Sequence, residues 1–313
     1  MELFWPLVAV RWLHLWSLLA LFGASLFAVY GGPSPGGEEA LGKIKVWLAG
    51  IALASGVGFI MLMLVDMAEE VTSLLSASRW RAFLLATGFG RVWLLRLVAL
   101  GALLLWAASR GGGRPNRWHA DAGLSGALLV SLAWVGHAGA GEGADAFAGM
   151  FAYGCHVLAA GTWLGGLLPL SFALANARAG GDRERLCVAL ERFSRLGQAA
   201  VALILASGIV SAGLNMQGFA DFGTPYGRVL LGKIALFAVL IAIAAANRWI
   251  FLRRLRRQAG HGPIQIPAQI QAQIPAQIRA QIRALSRTVA AEHVIGLGLV
   301  ALAAALSSLA PVD

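Results

Sequence analysis

The chain has 313 residues, 58% of them hydrophobic and only 13% charged, and a formal net charge of +10. A soluble domain with a mean hydropathy of +0.73 would expose large apolar patches to water, so the composition selects an integral membrane protein. The positive charge does not point to nucleic acid, because the arginines are divided among particular connections between apolar runs and form no single basic patch.

A helix needs about 20 apolar residues to cross a bilayer. Runs of that order lie near residues 7–29, 44–65, 90–109, 119–138, 147–172, 196–214, 228–250 and 289–310. They predict an all-α polytopic bundle of eight transmembrane helices. The first run exceeds the roughly 7 to 15 residue core of a signal peptide and lacks a basic leader, so it reads as a span. Basic residues crowd the third connection (Arg110, Arg114, Arg117), the fifth (Arg178, Arg183, Arg185, Arg192, Arg195) and the seventh (from Arg248 to Arg287). By the positive-inside rule these face the cytoplasm and both termini face outward, with Arg79 and Arg81 the dissenting pair. The whole of 1–313 reads as one membrane domain carrying a low-complexity insert at about 258–285. There isoleucines recur every four residues (Ile266, Ile270, Ile274, Ile278, Ile282), while Pro267 and Pro275 interrupt helical hydrogen bonding. A cytoplasmic loop is expected, with an amphipathic helix on the inner leaflet as the alternative.

Polar side chains inside the spans are the functional candidates, because lipid offers them no partners. With a rise of about 1.5 Å per residue, His14 and His156 each lie roughly 14 Å in from the outer end of their spans. His137 closes the fourth span at the same face. Met61, Met63 and Met67 occupy the outward-running end of the second span, Met150 the start of the fifth and Met216 the outer end of the sixth. Thioether and imidazole suit Cu(I), and Asp66, Glu69, Glu70, Glu142 and Asp145 would concentrate cations around them. Each residue also has a plainer reading: methionine as packing material, histidine bonded to a neighbouring hydroxyl or carbonyl. Two histidines at matched depth also fit the axial ligation of a haem, so a haem-binding membrane oxidoreductase or electron carrier using His14 and His156 is the alternative. A third reading is a docking or sensory component without transport.

Cys155 points about 100° away from His156 and reads as packing. Cys155 and Cys187 fall on different levels, so no disulfide framework follows. His119 and His261 are expected solvated at the inner side, and His293, beside Glu292 at the inner start of the last span, as a cap, with an exit site as the alternative. Arg91 and Arg96 are expected to pair with Asp66, Glu69 or Glu70, and Lys233 to snorkel outward. No Ser-His-Asp order, phosphate loop or CxxC pair occurs, so a transporter is expected and not an enzyme.

Six stretches occur in order: RWLHLWSLLALFGASLF in the first span, HVLAAGTWLGGLLPL in the fifth, ERFSRLG before the sixth, GTPYGRVLLGKIALF leading into the seventh, Asn247-Arg248 at its end, and Glu292 opening the last. Together they resemble the copper resistance protein D family of bacterial inner-membrane proteins, over nearly the whole chain except the isoleucine-glutamine insert. The resemblance implies movement of copper from periplasm to cytoplasm in copper homeostasis or resistance, often beside a small periplasmic copper chaperone. His14 corresponds to the family's first-span histidine, and His156 to the histidine preceding its Trp-Leu-Gly-Gly motif, here Trp163 to Gly166. Some relatives carry the chaperone fused; this sequence shows no such domain, and a separate partner is expected. Gly165 and Gly166 would permit close helix approach, and Pro169 would loosen the helix beyond them.

Overall fold

The computed structural model of the protein describes residues 3–32, 37–109, 116–135, 143–179, 183–216, 218–252 and 268–309, and the described residues contain helices and no strand. The long helices are α1 (Phe4–Gly31), α2 (Gly37–Ala68), α4 (Gly88–Ala108), α8 (Arg183–Asn215), α9 (Pro225–Ala246) and α10 (Ala268–Leu306). Helix α6 (Gly143–Ala160) runs through a π turn at Gly161–Gly165 into α7 (Leu167–Arg178), and the three form one continuous span. A short α3 (Ala77–Arg81) lies between α2 and α4. Among the described residues, seven helices are long and apolar enough to cross a membrane. The protein is thus an all-α polytopic membrane protein. The run expected near 119–138 forms α5 (Asn116–Val130) followed by a 3-10 stretch at Ser131–Val135. Together these reach roughly 32 Å, close to the thickness of a bilayer's hydrocarbon core.

Local chemistry sets the helix starts. The Thr87 hydroxyl accepts the Gly90 amide at 2.8 Å to begin α4, and Thr224 accepts the Gly227 amide at 3.1 Å with Pro225 in the first turn of α9. Leu95, Val98, Ile209 and Val294 stand exposed, as apolar side chains facing lipid do.

Helix α1 is the centre of the bundle, touching α2, α5, α7, α8, α10 and the π turn. Two apolar clusters meet on it. One joins α1, α2, α4 and α5 around Leu18, Ala52, Leu100 and Leu129; the other joins the fifth span, α8, α9 and α10 around Trp163, Leu170, Leu240 and Val289. Their meeting place is a backbone contact. A Cβ on Gly165 would sit 1.9 Å from the Leu19 carbonyl oxygen, and one on Gly23 would sit 2.2 Å from the Gly165 carbonyl carbon. Pro169 has no amide to give the Gly165 carbonyl, and the chain just before it widens into the π turn that α1 packs against. The small-residue approach expected from Gly165 and Gly166 is therefore realised.

The second half of the insert differs from expectation. Where the repeat predicts a loop to about 285, helix α10 already runs from Ala268, and Ile282 and Leu285 are buried with Val289. The repeat keeps Ile282 on the helix face that continues through Leu285, Val289 and Glu292, so the apolar stripe of the last span extends backwards into it. The earlier part of the insert, 258–267, lies outside the described residues.

The backbone contact can be tested by size. Gly165→Ala forces a shift against backbone and should destabilise the protein by about 1–3 kcal/mol or more. Gly101→Ala, whose new Cβ meets nothing within 4 Å, should be silent. Thermal unfolding in detergent, followed by the monodisperse fraction that survives heating, checks both.

Candidate functional site

Both candidate histidines lie within the bundle, in different company. His14 is 2% exposed on α1. Its Nδ1 is 2.9 Å from the Ala52 carbonyl and 3.3 Å from the Ser55 hydroxyl on α2, and its Nε2 is 3.0 Å from a terminal nitrogen of Arg96 on α4. A guanidinium only donates, so Nε2 is the acceptor and Nδ1 carries the hydrogen that goes to Ala52. Both ring nitrogens are thereby engaged. The ring also lies 5.2 Å from Trp93, and Gly56 leaves the room it occupies.

Arg96 is buried and, among the described residues, meets no carboxylate. The expected pairing of Arg91 and Arg96 with Asp66, Glu69 or Glu70 is absent among the described residues; Glu70 pairs with Arg79 at 3.0 Å. Arg96 donates to the Leu128 carbonyl at 2.8 Å and to the Ser131 hydroxyl. The reason is local. Helix α5 gives way to a 3-10 stretch at Ser131, whose hydroxyl also donates to the Leu128 carbonyl at 2.8 Å, and a guanidinium is well suited to cap carbonyls at such a helix end. Arg11 lies over the Phe59 ring and donates to the Ser307 carbonyl at 2.9 Å. Arg11 and Arg96 are both within electrostatic reach of His14, which sits in a cationic neighbourhood.

His156 is arranged otherwise. Its Nδ1 is 3.0 Å from the Ser207 hydroxyl on α8, and the ring also has the Ile204 backbone of that helix as a partner. The Ser207 hydroxyl spends its own hydrogen on the Leu203 carbonyl at 2.6 Å, so Nδ1 donates and Nε2 keeps its lone pair. Among the described residues nothing bonds that Nε2. Lys233 of α9 is within electrostatic reach of the ring. The two histidines share no partner residue.

The methionines divide in the same way. Met61 and Met67 are exposed near the end of α2, whereas Met63 packs with Phe59, Phe83 and Trp93. Met150 and Met216 are half-buried. Helices α6 and α8 run antiparallel past the His156–Ser207 contact. Met150 therefore lies about 9 Å and Met216 about 13 Å beyond it, towards the same end of the bundle. His137, His261 and Glu142 lie outside the described residues. His119 is exposed; Cys155 and Cys187 are half-buried and free. No group of three or more His, Cys, Asp or Glu residues converges among the described residues.

Three polar arrangements were not anticipated from the sequence. Lys45 pairs with Asp121 at 2.5 Å, and the Trp106 indole donates to the same carboxylate at 2.9 Å, tying α2, α4 and α5. Glu292 on α10, 3% exposed, receives hydrogen bonds from Asn247 and Trp163. The third is the clasp of His14 by Arg96. A usable signal was present for the first, since an acidic residue inside an apolar run requires a partner. Removing the clasp should be costly: Arg96→Leu leaves His14 Nε2 unpaired at about 1–3 kcal/mol, while the Leu128 carbonyl keeps the Ser131 hydroxyl as donor, and the loss is read as a lowered unfolding temperature in detergent.

Comparison with known proteins bears on this geometry. The sequence profile described as copper resistance protein D-like, N-terminal domain, matches residues 1–150, and the one described as copper resistance protein D matches residues 188–306. Inner membrane protein YebZ of Escherichia coli (strain K12) is 31% identical over 255 residues, covering 80% of this chain and 86% of that protein. Copper resistance protein D of Pseudomonas syringae pv. tomato is 28% identical over 269 residues, covering 82% and 85%. Copper transport protein CutJ of Bacillus subtilis (strain 168) is 27% identical over 238 residues, covering 73% of this chain and 38% of that protein. No solved structure matches the chain. With seven apolar helices and these matches along most of its length, the chain belongs to the copper resistance protein D family and is a multi-pass protein of the inner membrane.

Proposed function

We propose that the protein moves copper, as Cu(I), across the inner membrane from periplasm to cytoplasm, with both termini outward, and so contributes to copper homeostasis. One observation carries this reading to a residue: His156 has its Nδ1 hydrogen held by the Ser207 hydroxyl while Nε2 keeps its lone pair. A metal-binding histidine is commonly held in this manner, the second nitrogen fixing ring orientation for the first. Met150 and Met216 lie further towards one end and supply soft donors on the way in. Exposed Met61 and Met67 suit transfer from a periplasmic copper-carrying partner.

His14 takes a different part. Cationic Arg11 and Arg96 repel a metal ion, and Nε2 is already an acceptor, so His14 positions Arg96 across α1, α4 and α5. The haem alternative requires two free imidazole nitrogens facing one iron, and His14 does not offer the second. Lys233 also has a use in transport. A fixed cation near His156 weakens copper binding, and a permeation site must release its ion as well as take it.

His156→Ala should lower both copper bound per purified protein, by elemental analysis, and copper accumulated by cells, while His14→Ala acts mainly through stability. Unchanged copper in both assays would defeat the assignment, and a Soret band in the purified protein would favour haem. Lys233→Met should raise copper retained by the protein and slow its release to a chelator, measured by stopped-flow.

A further inference from the structure

Glu292 is the buried ionisable group that the copper path leaves unexplained. It sits on α10 about 21 Å from Leu306, deep in the bundle. Its carboxyl accepts from Asn247 Nδ2 and from the Trp163 indole. Among the described residues no charged side chain pairs with it. Arg248, next to Asn247, donates to the Ser194 hydroxyl on α8. Arg287 on the same helix is exposed, and the neighbouring His293 donates to the Val289 carbonyl. Lys233 is fourteen residues from Asn247 on the same helical rod, about 21 Å away. From α1 and α7 the surroundings are apolar, with Phe27, Leu167 and Leu170 in the cluster that holds Val289.

The hydrogen-bond inventory adds the decisive detail. Asn247 Oδ1 is buried without a partner beside this carboxyl. A carboxylate can only accept and would leave that oxygen orphaned, whereas a carboxylic acid supplies the missing hydrogen and closes a paired acid–amide ring. Reversing the amide leads to the same conclusion, because its oxygen would then face the carboxyl and again need a proton there. An uncompensated carboxylate in an apolar interior is also costly. Both partners sit in π turns, Trp163 in Gly161–Gly165 and Asn247 in Asn247–Leu252. Trp163, within the first of these turns, is seven residues and about 10 Å from His156 along the same span.

We propose that Glu292 is a proton-exchange site that couples copper passage to proton movement in the opposite direction. This rests on the copper-transport reading above. When Cu(I) advances from His156, the Glu292 O–H bond breaks, the proton leaves by the outer route, and the carboxylate charge balances the copper ion. When copper leaves inward, the carboxyl takes a proton from the inner side and the ring with Asn247 closes again. One proton is exported for each copper ion imported, with no other reactant.

The experiment uses the full chain in liposomes containing a Cu(I) chelator probe and a pH-sensitive dye, with Cu(I) added outside. The expected result is copper entry with lumenal alkalinisation at about one proton per copper, retained in Glu292→Asp and lost in Glu292→Gln, which keeps the Asn247 contact. Copper entry without a pH change, or an unchanged pH response in Glu292→Gln, overturns proton exchange and leaves copper transport standing. Absence of copper entry by the wild-type protein overturns both. Infrared spectra of the same proteins give a readout independent of copper. The carbonyl band of a protonated carboxylic acid should be present at neutral pH in wild type and missing from Glu292→Gln, and its absence from wild type overturns the proposal.

Discussion

The bundle depends on the contact in which α1 lies backbone against backbone on the π turn of the fifth span. Lipid removes the hydrophobic drive that pairs helices in water, so association has to come from close van der Waals approach and from polar links. Gly23 and Gly165 allow an approach that a single methyl group would prevent. Because α1 also borders α2, α5, α8 and α10, fixing it on this turn fixes how the two apolar clusters face each other. The same turn sets the bearings of the residues on either side of it, His156 towards α8 and Trp163 towards α10.

Around that contact the buried polar groups are shared out among the spans. Lys45 and Trp106 meet Asp121; His14, the Leu128 carbonyl of α5 and the Ser131 hydroxyl just past it hold Arg96; Asn247 and Trp163 hold Glu292. Each set ties helices distant in sequence, and each exists because an unpaired polar group in hydrocarbon costs more than the ordering needed to pair it. Against that background His156 stands out chemically. One nitrogen is held firmly and the other has no partner among the described residues, a state useful for binding a cation and otherwise wasteful in a membrane interior.

The arginines near His14 illustrate how a matched depth can mislead. From the sequence, His14 and His156 occupy one level and form a natural ligand pair. Depth follows from rise per residue alone, whereas the bearing of a side chain about its helix depends on which neighbours that helix acquires. Helix α1 turns His14 to α2 and α4, and α6 turns His156 to α8. Arg96 was legible as an embedded charge, but its acceptors arise from the 3-10 break at the end of α5, which no pattern of apolar residues announces.

By itself the sequence determined that the chain lives in a bilayer, where most of its spans lie, which glycines permit close approach, and which few polar residues have to be accounted for. Those properties are local: apolar length, charge between spans, residue size. Only the tertiary structure decided that His14 is clasped while His156 is open, that the last helix reaches back into the isoleucine repeat, and that Glu292 has an amide and an indole for company and, among the described residues, no cation. These are contacts between residues tens to hundreds of positions apart, and they exist only once α1 has settled on the π turn and brought the other helices to their places.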